Sequence, residues 1–155
     1  MAFLITGKPR SRTAWFAVAT GALHEPARLP PIWTGGVSDS RASLHLAEIY
    51  SRFEPRTLII ERPKFDVLTS AIRYTDGMPG DWRAVQSMLG AMEARLAFQH
   101  PAIKRVAYDD LNDIAVVRDC LEWLGVAEPP NLEQLMHMRI ESDLAWNLAR
   151  MKDAA

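Results

Sequence analysis

The chain holds 155 residues, with 18 Lys and Arg against 19 Asp and Glu, a net charge of −1 and 48% hydrophobic residues. That length suits one domain over residues 1–155 with its own core, and the composition excludes a disordered chain. Near-neutrality excludes recruitment of nucleic acid or an anionic membrane by bulk charge.

Residues 2–6 form an apolar run ending at Gly7 and predict a buried strand. Residues 11–22 predict a helix with Trp15, Val18, Ala19 and Ala22 on one face. Residues 24–36 are rich in proline, glycine and threonine and read as an ordered loop. Helical spacing returns through Leu46, Ile49, Tyr50 and Phe53. The continuous apolar centre of residues 56–61 suits a strand covered on both faces. Pro63 is placed for the first turn of a helix reaching Arg73. A turn-rich stretch at 75–81 leads to a helix over 82–99, whose stripe is Val85, Met88, Leu89, Met92 and Leu96. Residues 103–108 predict a third strand. Asn112 is placed to cap a helix that turns Ile114, Val117, Leu121 and Leu124 inward and stops at Gly125. After Pro129-Pro130, Asn131 and Gln134 have the spacing of a capping box for a last helical hairpin. Strands separated by helices make βαβ units, so the expected fold class is α/β, three layers around a short parallel sheet.

Ligands in such folds bind at the carboxyl ends of the strands. Here the first such end, Gly7-Lys8-Pro9-Arg10-Ser11-Arg12-Thr13, places three cations and two hydroxyls before a helix N-terminus. Backbone N–H groups and the helix dipole favour an anion there, although a plain surface turn with a helix cap has similar residues. The charge distribution agrees: residues 1–80 carry 10 Lys and Arg against 7 Asp and Glu, and residues 81–155 carry 8 against 12. The second glycine and the Lys-Ser/Thr pair of a Walker A loop are missing, which disfavours an ordinary triphosphate hydrolase.

Pro9-Arg10-Ser11-Arg12-Thr13-Ala14-Trp15 resembles the 5′-phosphosulfate loop of the P-loop sulfotransferases, usually P-[KR]-S-G-T-[TS]-[WL]. Arg62 and Ser70, eight residues apart after a buried strand with Asp66 between them, resemble that family's 3′-phosphate motif. Tyr108-Asp109-Asp110-Leu111, followed by Trp123-Leu124-Gly125, resembles its Tyr-Glu-Asp-Leu segment and later Phe-Leu-Gly. The three lie in the family's order across residues 3–126, and the chain is similar to small bacterial or phage members.

The resemblance implies a P-loop NTPase-like fold of sulfotransferase type. It also implies 3′-phosphoadenosine-5′-phosphosulfate as co-substrate and transfer of its sulfuryl group to a hydroxyl or amine acceptor that the sequence does not name. On this reading the loop N–H groups, Ser11, Arg12, Thr13, Ala14 and Trp15 surround the 5′ end. Arg10 stabilises charge growing on the bridging oxygen. Arg62 offers a two-pronged clamp for the 3′-phosphate, with Ser70 adding a hydroxyl. For Arg62 the plainer role is a salt bridge to Glu61 or Asp66. Ser70 equally suits a packed helix face, and Trp15 suits the core.

The acceptor needs a base. Glu25 leads, His24 is second, and Asp39 and His45 are weaker candidates; His100 and His137 read as structural. Leu29, Ile32 and Trp33 either cover the sheet or line an acceptor pocket. Two departures from the family stand out: Arg12 occupies its glycine position, which a helical φ would tolerate, and no counterpart of its C-terminal Arg-Lys-Gly segment is visible. The alternatives are a small nucleotide or metabolite kinase, which would need Lys8 and magnesium ligands, and a non-catalytic nucleotide-binding module. The apolar runs fall short of the roughly 18 residues of a membrane span. The lone Cys120 makes no internal disulfide or zinc cluster, and the N-terminus lacks a secretory pattern. A cytoplasmic protein needing no metal is expected.

Overall fold

The computed structural model describes residues 2–26, 35–74 and 81–138. At its centre lies strand β1 (Phe3–Gly7), every residue of which is buried. It pairs in parallel with β3 (Gly36–Ser38) on one side and β4 (Arg56–Glu61) on the other. β2 (Leu23–His24) joins β3 and β5 (Ile103–Ala107) joins β4, giving an all-parallel sheet in the order β2-β3-β1-β4-β5. The expected α/β class is therefore the observed one.

Helices cover both faces. On one face α1 (Thr13–Thr20), α5 (Ile114–Leu124) and α6 (Leu132–Met136) pack Trp15, Phe16, Val117, Leu121 and Leu135 against Phe3, Ile5, Leu58 and Ile60. On the other, a 3-10 helix (Ser40–His45) continued by α2 (Leu46–Tyr50) buries Leu46 and Ile49 beside Leu4, Val37 and Ile59. Leu96 of α4 (Trp82–Leu96) reaches the same cluster, while Leu89 and Met92 of α4 pack on Val67 of α3 (Lys64–Tyr74). Alternate residues of β1 and β4 thus feed opposite layers, as strand geometry requires. Cys120 is fully buried in the first layer, and burial pushes its thiol up to about 11.

Several sequence expectations need correction. The stretch read as a loop over 24–36 is bounded by two unforeseen short strands, β2 taking in His24 and β3 starting at Gly36; such short strands carry no legible periodicity and exist through pairing with β1 and each other. Residues 27–34, with Leu29, Ile32 and Trp33, lie outside the described residues. The first helix is shorter than expected because Arg12 before it and Gly21 after it are both left-handed, and Val18 faces outward at 56% exposure. The α5 cap is Asp113, whose carboxylate accepts from the Ala115 N–H at 2.8 Å, and not Asn112. Asn131 makes no side-chain cap bond to α6, and the hairpin's remainder beyond Met138 is outside the described residues. Of the α4 stripe, Met88 is exposed and Leu89, Met92 and Leu96 are buried.

The chain leaves β1 toward β2 and leaves β4 toward β5, in opposite directions across the sheet. Between those two strands lies the switch point where open parallel sheets form their binding crevice. β1 and β4 approach closely there, because a Cβ on Gly7 would lie 2.5 Å from the Ile60 carbonyl oxygen. Backbone cannot yield as a flexible side chain does, so Gly7→Ala is expected to cost about 1–3 kcal/mol, read as a lowered denaturation midpoint.

Candidate functional site

The loop after β1 is held from below and above. Lys8 is buried and turns away from the sheet's end to meet Glu93 of α4, its Nζ donating to Oε1 at 2.9 Å. That contact holds the Glu93 carboxyl below the usual range. Arg10 and Arg12 then both take left-handed backbone, with φ of 64° and 61°. Such geometry is rare for a side chain bearing a Cβ and costs roughly 1–2 kcal/mol per residue.

Arg12 thus adopts the backbone that glycine favours, and not the helical φ that would tolerate its side chain. Its guanidinium leaves the loop and donates to the Leu111 carbonyl at 2.5 Å and to Asn112 Oδ1 at 2.6 Å, passing the Tyr108 ring at 5.2 Å. The substitution therefore ties the first loop to the segment after β5.

Arg62, directly after β4, performs a second tie. Its Nη1 donates to the Arg10 carbonyl and its guanidinium lies 4.0 Å from the centre of the Tyr108 ring. Its Nε is buried with no hydrogen-bond partner. The salt bridge to Glu61 or Asp66 does not form: Glu61 pairs with Arg105 at 2.9 Å, and Arg62 has no carboxylate partner among the described residues. Arg10 in turn reaches Ser70 of α3, Nε to Oγ 3.4 Å. The ends of β1, β4 and β5 are thereby joined through three arginines and one aromatic ring.

These groups border a cleft of about 900 Å³. Among the described residues four cations line it, Arg10, Arg12, Arg62 and Arg73, against three carboxylates, Glu25, Asp66 and Asp109, a formal balance of +1 for these groups. Thr13, Ala14 and Ser70 are also on its wall. Trp15 borders it too, yet is only 4% exposed and donates its indole N–H to the Leu135 carbonyl at 2.8 Å, so its body belongs to the core. Ser11 does not reach the wall: it is fully buried beside Gly7, and its hydroxyl has no partner.

Of the two leading base candidates, the structure brings only Glu25 to the cleft. Its backbone is left-handed, φ 41°, and its Oε1 accepts from the Ser40 hydroxyl at 2.9 Å. His24 instead places Nδ1 3.1 Å from the Ser38 carbonyl, with Nε2 buried and unpartnered. Asp39 is occupied by Arg41, which contacts both of its oxygens at 2.9–3.0 Å, and it caps the 3-10 helix. His45 stands beside Glu48 on the surface, and His100 accepts from the Ala102 N–H while stacking on Tyr50. His137, read as structural, lies on the cleft wall.

Sequence reasoning missed Arg73, Thr69 and Phe65. All three line the cleft with Ser70: Phe65, Thr69 and Arg73 follow one another at i+4 along α3, and Arg73 is at i+3 from Ser70. Phe65 is 75% exposed and Met138 55%, giving the cleft an apolar lip. Among the described residues no group of three or more His, Cys, Asp or Glu is placed to hold a metal ion, and no helix is long and apolar enough to cross a membrane.

Fold comparison finds a crystal structure of a sulfotransferase from Alicyclobacillus acidocaldarius, with a TM-score of 0.55 and 16% identity, over 97% of this chain and 90% of that one. The fold is sulfotransferase-like. No protein-family profile and no curated protein sequence matches the chain.

Because Arg12 combines a strained backbone with two side-chain bonds, its two truncations should separate the effects. Arg12→Ala keeps the strain, loses the bonds and is expected to cost about 1–2 kcal/mol. Arg12→Gly relaxes the backbone and should cost about 1 kcal/mol less, with urea denaturation as the measurement.

Proposed function

We propose that the protein is a sulfotransferase that moves a sulfuryl group from 3′-phosphoadenosine-5′-phosphosulfate to a hydroxyl or amine acceptor. The observation that carries this reading is Arg62. It is held at the switch point by a backbone carbonyl and an aromatic ring instead of a carboxylate, with a buried N–H still lacking an acceptor. A buried donor left unpaired costs about 1–3 kcal/mol, and a phosphate oxygen would satisfy it. Ser70 and Arg10 stand beside it, which fits a phosphorylated nucleotide better than a neutral ligand. The sulfotransferase-like fold and the three resembling segments support the same donor.

In the proposed reaction the acceptor oxygen or nitrogen attacks sulfur as the bond from sulfur to the 5′-phosphate oxygen breaks. The electron pair passes to that oxygen, 3′,5′-adenosine bisphosphate leaves, and the acceptor's proton goes to the Glu25 carboxylate. Arg10 supplies positive charge where the leaving oxygen gains electrons, an effect strongest in a partly enclosed site. Glu25 is preferred to His24 because it alone of the pair lines the cleft. The kinase reading loses its lysine, since Lys8 is committed to Glu93 and lies off the cleft wall.

Calorimetric titration with 3′,5′-adenosine bisphosphate, against AMP and ATP with magnesium, tests the donor assignment. The expected result is tight binding that depends on the 3′-phosphate, weakened by about 1.5–3 kcal/mol in Arg62→Ala, the scale of a charge-assisted hydrogen bond. Preference for ATP with magnesium would instead support phosphoryl transfer, and binding of none would leave a non-catalytic module. Once an acceptor is found, Glu25→Gln should leave nucleotide affinity unchanged and slow transfer by about 10²-fold or more, the scale of general base catalysis. An unchanged rate would remove Glu25 from that role.

A further inference from the structure

Arg73 stands in the last turn of α3, exposed, lining the cleft, and with no ion pair among the described residues. Its helix neighbours on that face are Thr69 at i−4 and Ser70 at i−3, and both line the same cleft. Side chains so spaced stand about 5–6 Å apart at Cβ, within the span of an arginine stem. Among the described residues Asp66, a full two turns earlier, is the acidic group on this face, and Asp109 and Glu25 are the other carboxylates of the cleft. Neither Asp66 nor any other described carboxylate pairs with Arg73.

A last-turn cation also suits the negative end of the helix, so position alone would explain a purely structural arginine. What distinguishes Arg73 is the demand of the site. A phosphate monoester carries nearly two charges. Arg62 is partly spent on the Arg10 carbonyl and on Tyr108, and the proposed reaction places Arg10 at the leaving oxygen instead. A phosphate resting on Arg62 and Ser70 would be short of one cation, and Arg73 is the remaining arginine on the Ser70 side of the cleft.

We infer that Arg73 is a further ligand of the nucleotide's 3′-phosphate, closing over it from the end of α3 opposite Arg62. This rests on the donor reading above. Its contribution is electrostatic and solvent-accessible, hence modest and sensitive to salt.

The test compares 3′,5′-adenosine bisphosphate with AMP in the wild type, Arg73→Ala and Arg73→Lys, at low and high salt. Circular dichroism and a thermal midpoint check that each variant folds. The expected result for Arg73→Ala is an affinity for the bisphosphate lower by about 3- to 10-fold, with AMP affinity unchanged. Arg73→Lys should recover part of the loss, and the difference between wild type and Arg73→Ala should shrink at high salt. If the wild type shows a 3′-phosphate preference that Arg73→Ala retains in full, the inference is overturned and the donor reading stands. Equal weakening toward both nucleotides also overturns it, since Arg73 would then act as general charge. A wild type that does not distinguish the two nucleotides removes the donor reading and this inference together.

Discussion

β1 is hydrogen-bonded in parallel to a strand on each side and covered by a helical layer on each face, and all five of its residues are buried. That enclosure sets the geometry of everything at its carboxyl end. Gly7 sits against Ile60 at a distance that admits no Cβ, which brings the loops after β1 and β4 into contact. Both loops then leave the sheet in opposite directions and open the crevice between them.

The crevice is unusual in how it keeps its positive charge. Arginines in proteins commonly end on carboxylates, which cancels their field. Here Arg12 ends on a carbonyl and an amide oxygen, and Arg62 on a carbonyl and the face of Tyr108. Neutral partners hold these two guanidinium groups in place without neutralising them. Lys8 of the same loop meets a carboxylate, that of Glu93, and does not line the cleft. Its contact with Glu93 anchors the loop to α4, and therefore to the packing of α4 on α3 that positions Ser70.

Arg12 shows how a residue that departs from a motif can be absorbed by its surroundings. A left-handed backbone at a residue with a Cβ carries strain, and two strong side-chain bonds to the segment after β5 offset it. The same bonds explain why Asn112 does not cap α5: its side chain is engaged by Arg12, and Asp113 takes the cap.

The sequence by itself determined the α/β class, the long elements β1, β4, β5, α3, α4 and α5, and the segments that line the cleft, because each is encoded locally by apolar periodicity, caps and breakers. Arg10, Arg62 and Ser70 were legible as candidate positions for the same reason, each standing near a strand end or on a short helical spacing, and the structure brings all three to one cleft. Only the tertiary structure decided the rest. β2 and β3 exist through pairing with distant residues, which no local pattern encodes. The left-handed turn of Arg12, the burial of Ser11, the diversion of Lys8 to Glu93 and the separation of Glu25 from His24 all depend on contacts made across the fold. The reason is physical: a residue type states which interactions a side chain is able to make, and only the packing of the whole chain decides which partner it meets.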